Sequence, residues 1–318
     1  MTATRVTADN FVRAESNRMF AALLAGTEGV GHWVHHREPS ALDDQRVIRQ
    51  NRDTLYSSIV LDVSEGATLT LPDAEGRYLS AALISQDQYT SRVLHDAGEH
   101  AITRDEVGSD FVLVAVRVLV DPTDPADVAA ANRVQDGLAA TSASSRAFEL
   151  PEYDAASLDS TRNALLELGR GFSGFDHSFG TREEVEPIRH LIGAALGWGG
   201  LPESEAYYVN VDDHLPVAEY SLTLRDVPVD AFWSVSLYNA EGYFEPIPGT
   251  LTSVNSVTGE RAADGSITVR FAPVATGAAN ELGIMPGWNY LVRYYRPRPE
   301  VIDGSWTLPA LTPAEAGA

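Results

Sequence analysis

Residues 111–138, FVLVAVRVLVDPTDPADVAAANRVQDGL, decide the fold class. Phe111 to Val120 is a near-continuous, valine-rich apolar run of strand length. Asp124-Pro125 then opens a segment with Val128, Ala131, Val134 and Leu138 at helical spacing, and a proline suits a first helical turn. Working outward toward the N-terminus, Ile59, Leu61 and Val63 alternate with their neighbours, and Leu69, Leu71 and the run Leu79 to Ile84 follow. Turn signals separate them: Ser64-Glu65-Gly66, Pro72-Asp73, Glu75-Gly76 and Gly108-Ser109. Ahead of these strands, residues 8–25 read as a helix capped by Thr7, with Phe11, Phe20, Leu23 and Leu24 as its stripe.

Toward the C-terminus two further helices are expected. Leu158, Leu165 and Leu168 mark one, stopped by Gly169 and Gly171; Val185, Ile188, Ile192 and Ala195 mark the next, stopped by Gly197-Trp198-Gly199-Gly200. Between them, residues 171–180, GFSGFDHSFG, read as an ordered glycine-rich loop. Strands are expected over 218–225, 232–238, 266–271 and 288–295, with Asp264-Gly265 and Pro286-Gly287 as turns, in an antiparallel sandwich or barrel. The proline- and alanine-rich tail after Trp306 should fray. The order helix, strands, helices, strands predicts a segregated α+β protein, mostly β, rather than a Rossmann or TIM architecture.

Composition removes whole mechanisms. The 318 residues carry 45 acidic and 23 basic side chains, a formal charge of −22, and every basic one is arginine. Without cysteine there is no thiolate nucleophile, disulfide or zinc knuckle; without lysine there is no Schiff base, Walker A loop or Ser–Lys dyad. The acidity argues against a nucleic-acid partner, whose phosphates need a basic footprint. No stretch approaches the length of a membrane span, and Met1 to Thr7 shows no apolar signal region. The expected address is therefore cytoplasmic, or secreted or periplasmic if a signal has been trimmed away.

The densest polar cluster in an apolar setting is Asn51-Arg52-Asp53-Thr54-Leu55-Tyr56-Ser57-Ser58. On a strand Arg52, Thr54 and Tyr56 would share one face, where a guanidinium, a hydroxyl and a phenol can bind carboxylate or phosphate oxygens. A buried hydrogen-bond network that fixes the strand start is the alternative. Asp87 and Tyr89 alternate after the Leu79–Ile84 strand, with His95 further on, and could act as acid and base. Arg293 and Tyr295 share one face of a later strand, and Trp233, Val235 and Leu237 share the core face of another, leaving Ser234, Ser236 and Tyr238 opposite. Two metal spacings, His32/His36 and Asn210/Asp212/His214, fit a loop and an exposed acidic turn better than a metal centre. No metal and no organic cofactor is therefore expected.

NRDTLYSS, LVDPTDPADV, FGTREEVEPIRHLIGAALGWGG, FWSVSLYNAEGYFEP, IMPGWNYLVRYYRPRPE and DGSW, taken in order, resemble the DUF1254/DUF1214 family of bacterial proteins over roughly residues 30–308. The resemblance implies an N-terminal antiparallel β region, a helical middle and a C-terminal jelly-roll-like sandwich, here 1–125, 126–200 and 201–318. It implies no settled reaction, and its members are often secreted or periplasmic. It strengthens Arg52, Asp53 and Tyr56, which sit in the family's most recognisable motif. An asparagine-tryptophan-leucine-proline motif of the family is replaced here by Asn280-Glu281-Leu282-Gly283.

The expected function is an enzyme acting on a small polar or anionic molecule in a cleft between the two β regions, by hydrolysis or a lyase or isomerase step. Asp53, Tyr56, Asp87 and Tyr89 are the candidate acid–base groups; Arg52, Thr54, Arg293, Tyr295 and Trp233 are the candidate substrate contacts. The alternatives are a carbohydrate- or ligand-binding module, with Trp198, Trp233, Trp288 and Trp306 stacking on sugars, and a structural protein that forms homo-oligomers.

Overall fold

The structure is a computed structural model that describes residues 3–45, 47–172 and 174–313. It divides into two compact units, one of residues 1–37, 55–119 and 126–203, the other of 38–54, 120–125 and 204–318. The end of the expected fraying tail, 314–318, and Ser173 of the glycine-rich loop lie outside the described residues. The chain is α+β and mostly β.

The first unit opens with α1 (Phe11–Leu24) and β1 (Val34–His35), then β2 (Thr54–Asp62), β3 (Ala67–Leu71), β4 (Leu79–Ser85), β5 (Thr90–Leu94) and β6 (Gly98–Ile102). A short α2 (Arg104–Val107) precedes β7 (Phe111–Leu119), α3 (Pro125–Asp136), β8 (Ala139–Ser142), α4 (Ala155–Gly169) and α5 (Pro187–Leu196). A five-stranded sheet runs β1-β2-β7-β4-β5 and a three-stranded one β6-β3-β8. β7 is central in the larger sheet, which is why its sequence is apolar on both faces. Helix α1 starts at Phe11, later than the expected residue 8. Thr7 donates its backbone N–H to the Asn10 side chain and so lies one turn before the helix instead of capping it. The glycine-rich loop is ordered at its far end, where the Gly180 carbonyl accepts the Thr90 N–H at 2.8 Å.

The second unit holds β9 (Ala206–Val211), β10 (Tyr220–Leu224), β11 (Trp233–Tyr238), β12 (Ser253–Asn255) and β13 (Ile267–Ala272). β14 (Glu281–Gly283), β15 (Asn289–Tyr295), α6 (Pro299–Ile302) and β16 (Thr312–Pro313) complete it. Two four-stranded sheets, β14-β13-β10-β16 and β12-β11-β15-β9, form the jelly-roll-like sandwich; one parallel pair, β13–β14, departs from its antiparallel scheme. Gly287, at φ 75°, makes the turn into β15 that Pro286-Gly287 predicts. β9 has no counterpart among the strands expected from sequence, because it is a half-exposed edge strand with little apolar alternation.

Trp233, Val235 and Leu237 of β11 and Tyr290, Val292 and Tyr294 of β15 join Leu222, Val269 and Phe271 of the facing sheet in one core. An antiparallel sheet often leaves its outer face wet. Here every residue of β11 and β15 is buried on both faces. The outer face is roofed by the chain around residues 42–53: Leu42 packs with Tyr238, Phe244 and Leu291, and Gln45 exchanges two hydrogen bonds with the Phe244 backbone, both at 2.8 Å. Among the described residues no helix is long and apolar enough to cross a membrane.

Candidate functional site

The buried outer row of the β11–β15 pair is polar: Ser234, Ser236 and Tyr238 from one strand, Arg293 and Tyr295 from the other. Ser234 and Arg293 are cross-strand partners. Groups of this kind are stable inside a protein only when hydrogen-bonded, and the roof supplies most of the partners. Arg293 donates through Nη1 to Ser236 Oγ at 2.8 Å, and through Nη2 to Tyr238 OH at 2.8 Å, Arg49 O at 2.8 Å and Gln50 O at 3.2 Å. Burial opposes its charge, but Tyr238, Tyr295 and Asp53 more than offset that, so the guanidinium is held above its ordinary value. Tyr238 donates to Gln50 O at 2.7 Å, and burial raises its phenol.

Asp53 hangs from the roof onto this row and is fully buried. Its Oδ2 accepts the Ser234 hydroxyl at 2.6 Å, while Oδ1 has no hydrogen bond of ordinary geometry. Burial pushes the carboxyl above the usual range; Arg293, Ser234, the nearby Asn255 amide and Arg52 pull the other way. Its backbone is pinned at both ends, N–H to Asn51 Oδ1 and carbonyl to Val120 N–H, each at 2.9 Å. Asn51 also reaches Thr54 Oγ1 at 3.1 Å and Tyr295 OH at 3.0 Å. Arg52 is half-buried and desolvation lowers its pKa. Its Nη1 donates to Ser40 O, and its Nε is buried without an acceptor among the described residues.

Five of the nine candidate residues therefore meet in the second unit: Arg52, Asp53, Thr54, Arg293 and Tyr295. Trp233 lies on the opposite, core face of the same sheet. Trp288 is in that core too, and Trp306 packs edge-on to Tyr294 at 5.6 Å. The other three candidates belong to the first unit, because the unit boundary falls between Thr54 and Leu55. There the Tyr56 ring lies under the Arg117 guanidinium at 5.5 Å. Asp87 is engaged by Arg13 through two bonds, at 2.6 and 2.5 Å. Tyr89 stacks on His190 at 4.6 Å with Arg182 on its ring at 4.9 Å. The partner that joins Asp87 and Tyr89 is thus His190, whose ring nitrogens lie 3.0 Å from Ser178 O and 2.9 Å from Asp87 O. His95 is tied to Leu79 O at 2.8 Å.

The two metal spacings behave as surface groups. His32 faces Glu28 at 3.6 Å, His35 Nδ1 meets Ser57 Oγ at 2.8 Å, and exposed His214 faces Asp212 at 3.2 Å. Sequence reasoning did not rank Ser234, Ser236 and Tyr238, although small hydroxyls alternating with Trp233, Val235 and Leu237 were the available signal. Asn255 carried none.

Residues 30–142 match DUF1254, a protein of unknown function, and residues 212–299 match DUF1214, a protein of unknown function. The chain is a DUF1254/DUF1214 domain-containing protein. Arg52 and Asp53 come from the first matched region, and Ser234, Tyr238, Asn255 and Arg293 from the second. The fold is similar to that of the VPA0106 protein from Vibrio parahaemolyticus, at 16% identity and a TM-score of 0.75 over 97% of this chain and 98% of that one. It is also similar to an uncharacterized protein from Burkholderia cenocepacia, at 14% identity and a TM-score of 0.50 over 91% and 83%. No curated protein matches the sequence.

Proposed function

We propose that this protein is an enzyme that acts on a small polar or anionic molecule by acid–base chemistry, with Arg52 as the anion anchor and Asp53 as the proton-handling group. One observation carries the reading: a fully buried carboxyl, raised by desolvation, has an oxygen with no hydrogen bond of ordinary geometry among the described residues, next in sequence to a guanidinium whose Nε has no acceptor among them. A carboxyl raised toward working pH gives and takes protons readily. Ser234 fixes Oδ2, so Oδ1 is the atom that would accept the proton. Arg293, Tyr295 and Thr54 hold the two working groups in place. The reaction would be a hydrolysis or a lyase or isomerase step, since the chain has no cysteine or lysine for covalent catalysis by thiolate or amine.

The complete burial of Asp53 favours a second reading, in which this hydrogen-bond network only fastens the fold of a structural protein. A broad screen of hydrolase and lyase substrates, run with Asp53→Asn and Arg52→Ala, separates the two. Turnover abolished by Asp53→Asn supports the enzyme. No turnover of any substrate, with both variants folded but less stable, supports the fastening network. Full activity in both folded variants sinks the site.

A further inference from the structure

The donors beneath residues 47–53 converge on two consecutive carbonyl oxygens. Arg293 Nη2 lies 2.8 Å from Arg49 O and 3.2 Å from Gln50 O, and Tyr238 OH donates to Gln50 O at 2.7 Å. A guanidinium and a phenol aimed at a pair of oxygens are what a carboxylate requires. We infer that Arg293, Tyr238 and Ser236 form a carboxylate-binding floor, and that the chain's own Arg49 and Gln50 carbonyls occupy it as stand-ins for the ligand. The inference rests on the reading that a small polar or anionic molecule binds here, and it narrows that molecule to a small carboxylate.

Among the described residues the Arg49, Arg52 and Arg293 guanidinium groups lie in or under this roof, in a chain of net charge −22, and an anion would meet them more favourably than carbonyl dipoles do.

The stand-in segment is irregular, although the Arg49 N–H is held by Gly242 O at 2.7 Å. Residues 47–53 form neither helix nor strand, and Val47 and Ile48 are exposed. Arg49 sits at φ 53°, a region that non-glycine residues adopt uncommonly. Gln50 Oε1, Arg52 Nε and Asp53 Oδ1 are buried without hydrogen-bond partners among the described residues. Displacing residues 47–50 alone frees the Arg293 and Tyr238 donors for the incoming anion and returns Gln50 Oε1 to water, while Arg52 and Asp53 stay beside the ligand.

Hydrogen exchange of the full chain, read on peptides covering 47–53, tests this in malonate, inorganic phosphate and chloride at matched ionic strength. Malonate should speed exchange several-fold and saturably, and chloride should not. Tyr238→Phe should remove most of the malonate response, with Ser236→Ala as the second variant if the first does not fold. Identical exchange in malonate and chloride overturns the inference, and a response to phosphate without one to malonate overturns the carboxylate class. Ligand binding that needs Arg52 while exchange ignores malonate sinks this inference and leaves the proposed function standing.

Discussion

Asp53 and Asp62 are both fully buried aspartates, one in each unit, yet burial acts on them with opposite results. Asp62 accepts four donors: Arg146 Nε, Nη2 and backbone N–H, each at 3.0 Å, and the Ser64 N–H at 3.1 Å. Desolvation works against its charge, but the Arg146 and Ser64 bonds win and hold the carboxyl well below the usual range. Asp53 has the Ser234 hydroxyl, the nearby Asn255 amide and more distant cations, and there desolvation wins. Asp62 lies under less surrounding protein and meets more donors, whereas Asp53 is deeply enclosed with few, so depth and donors in contact together decide whether a buried carboxyl is a fastener or a proton-handling group.

The largest expected effect comes from the cation that serves the weaker pair. Arg293→Met leaves Arg49 O, Ser236 and Tyr238 without the guanidinium and Gln50 O with Tyr238 alone, and should cost about 3–5 kcal/mol in urea unfolding. A loss under about 1 kcal/mol would show that the roof is not fastened there. Asp62→Asn comes next. It should cost about 1–3 kcal/mol, because Arg146 is half-exposed and can turn to water.

Acid titration separates the two aspartates by sign. The lowered Asp62 carboxyl contributes stability that is present above the unfolded pKa and lost as pH falls through its folded value. The raised Asp53 carboxyl does the reverse, so its contribution improves as pH falls from the folded value toward the unfolded one. Unfolding free energy measured against pH should therefore lose an acid-side fall in Asp62→Asn and an acid-side gain in Asp53→Asn. The same sign of change in both variants would break the comparison.

Asp53→Asn can keep the Ser234 bond and removes a disfavoured charge, so its stability cost at neutral pH should be about 1 kcal/mol or less. A cost exceeding that of Asp62→Asn would make Asp53 the true fastener. Arg52→Ala should change stability least, within about 1 kcal/mol by thermal melting, since the Arg52 side chain has one hydrogen bond among the described residues and is half-buried. A larger loss would mark it as part of the fold rather than of a ligand site.

Much of the fold was legible in the chain. The apolar run of β7, the Pro125 helix start and the 264–265 and 286–287 turns are local signals, and they mark the elements that formed. The helix start at Phe11 and edge strand β9 were less legible, since capping competition and half-burial leave weak patterns. Of the candidate site, Arg52, Asp53, Arg293 and Tyr295 could be picked out as charged or phenolic residues within apolar stretches. Asp62 with Arg146 could not, because the pair lies far apart in sequence and neither residue stands in a recognisable motif.

The amino-acid order fixed the helices, the strands and which side chains of β11 and β15 face apart, because alternation and turn chemistry act over a few residues. It also removed thiolate and amine chemistry by leaving out cysteine and lysine. Tertiary structure alone decided that residues 42–45 and 47–53 roof the outer face of that sheet, that Trp233 is core, and that Asp53 and Arg293, 240 positions apart by their numbers, act on each other. Burial and donor count arise when distant segments close over one another, and no local pattern encodes them.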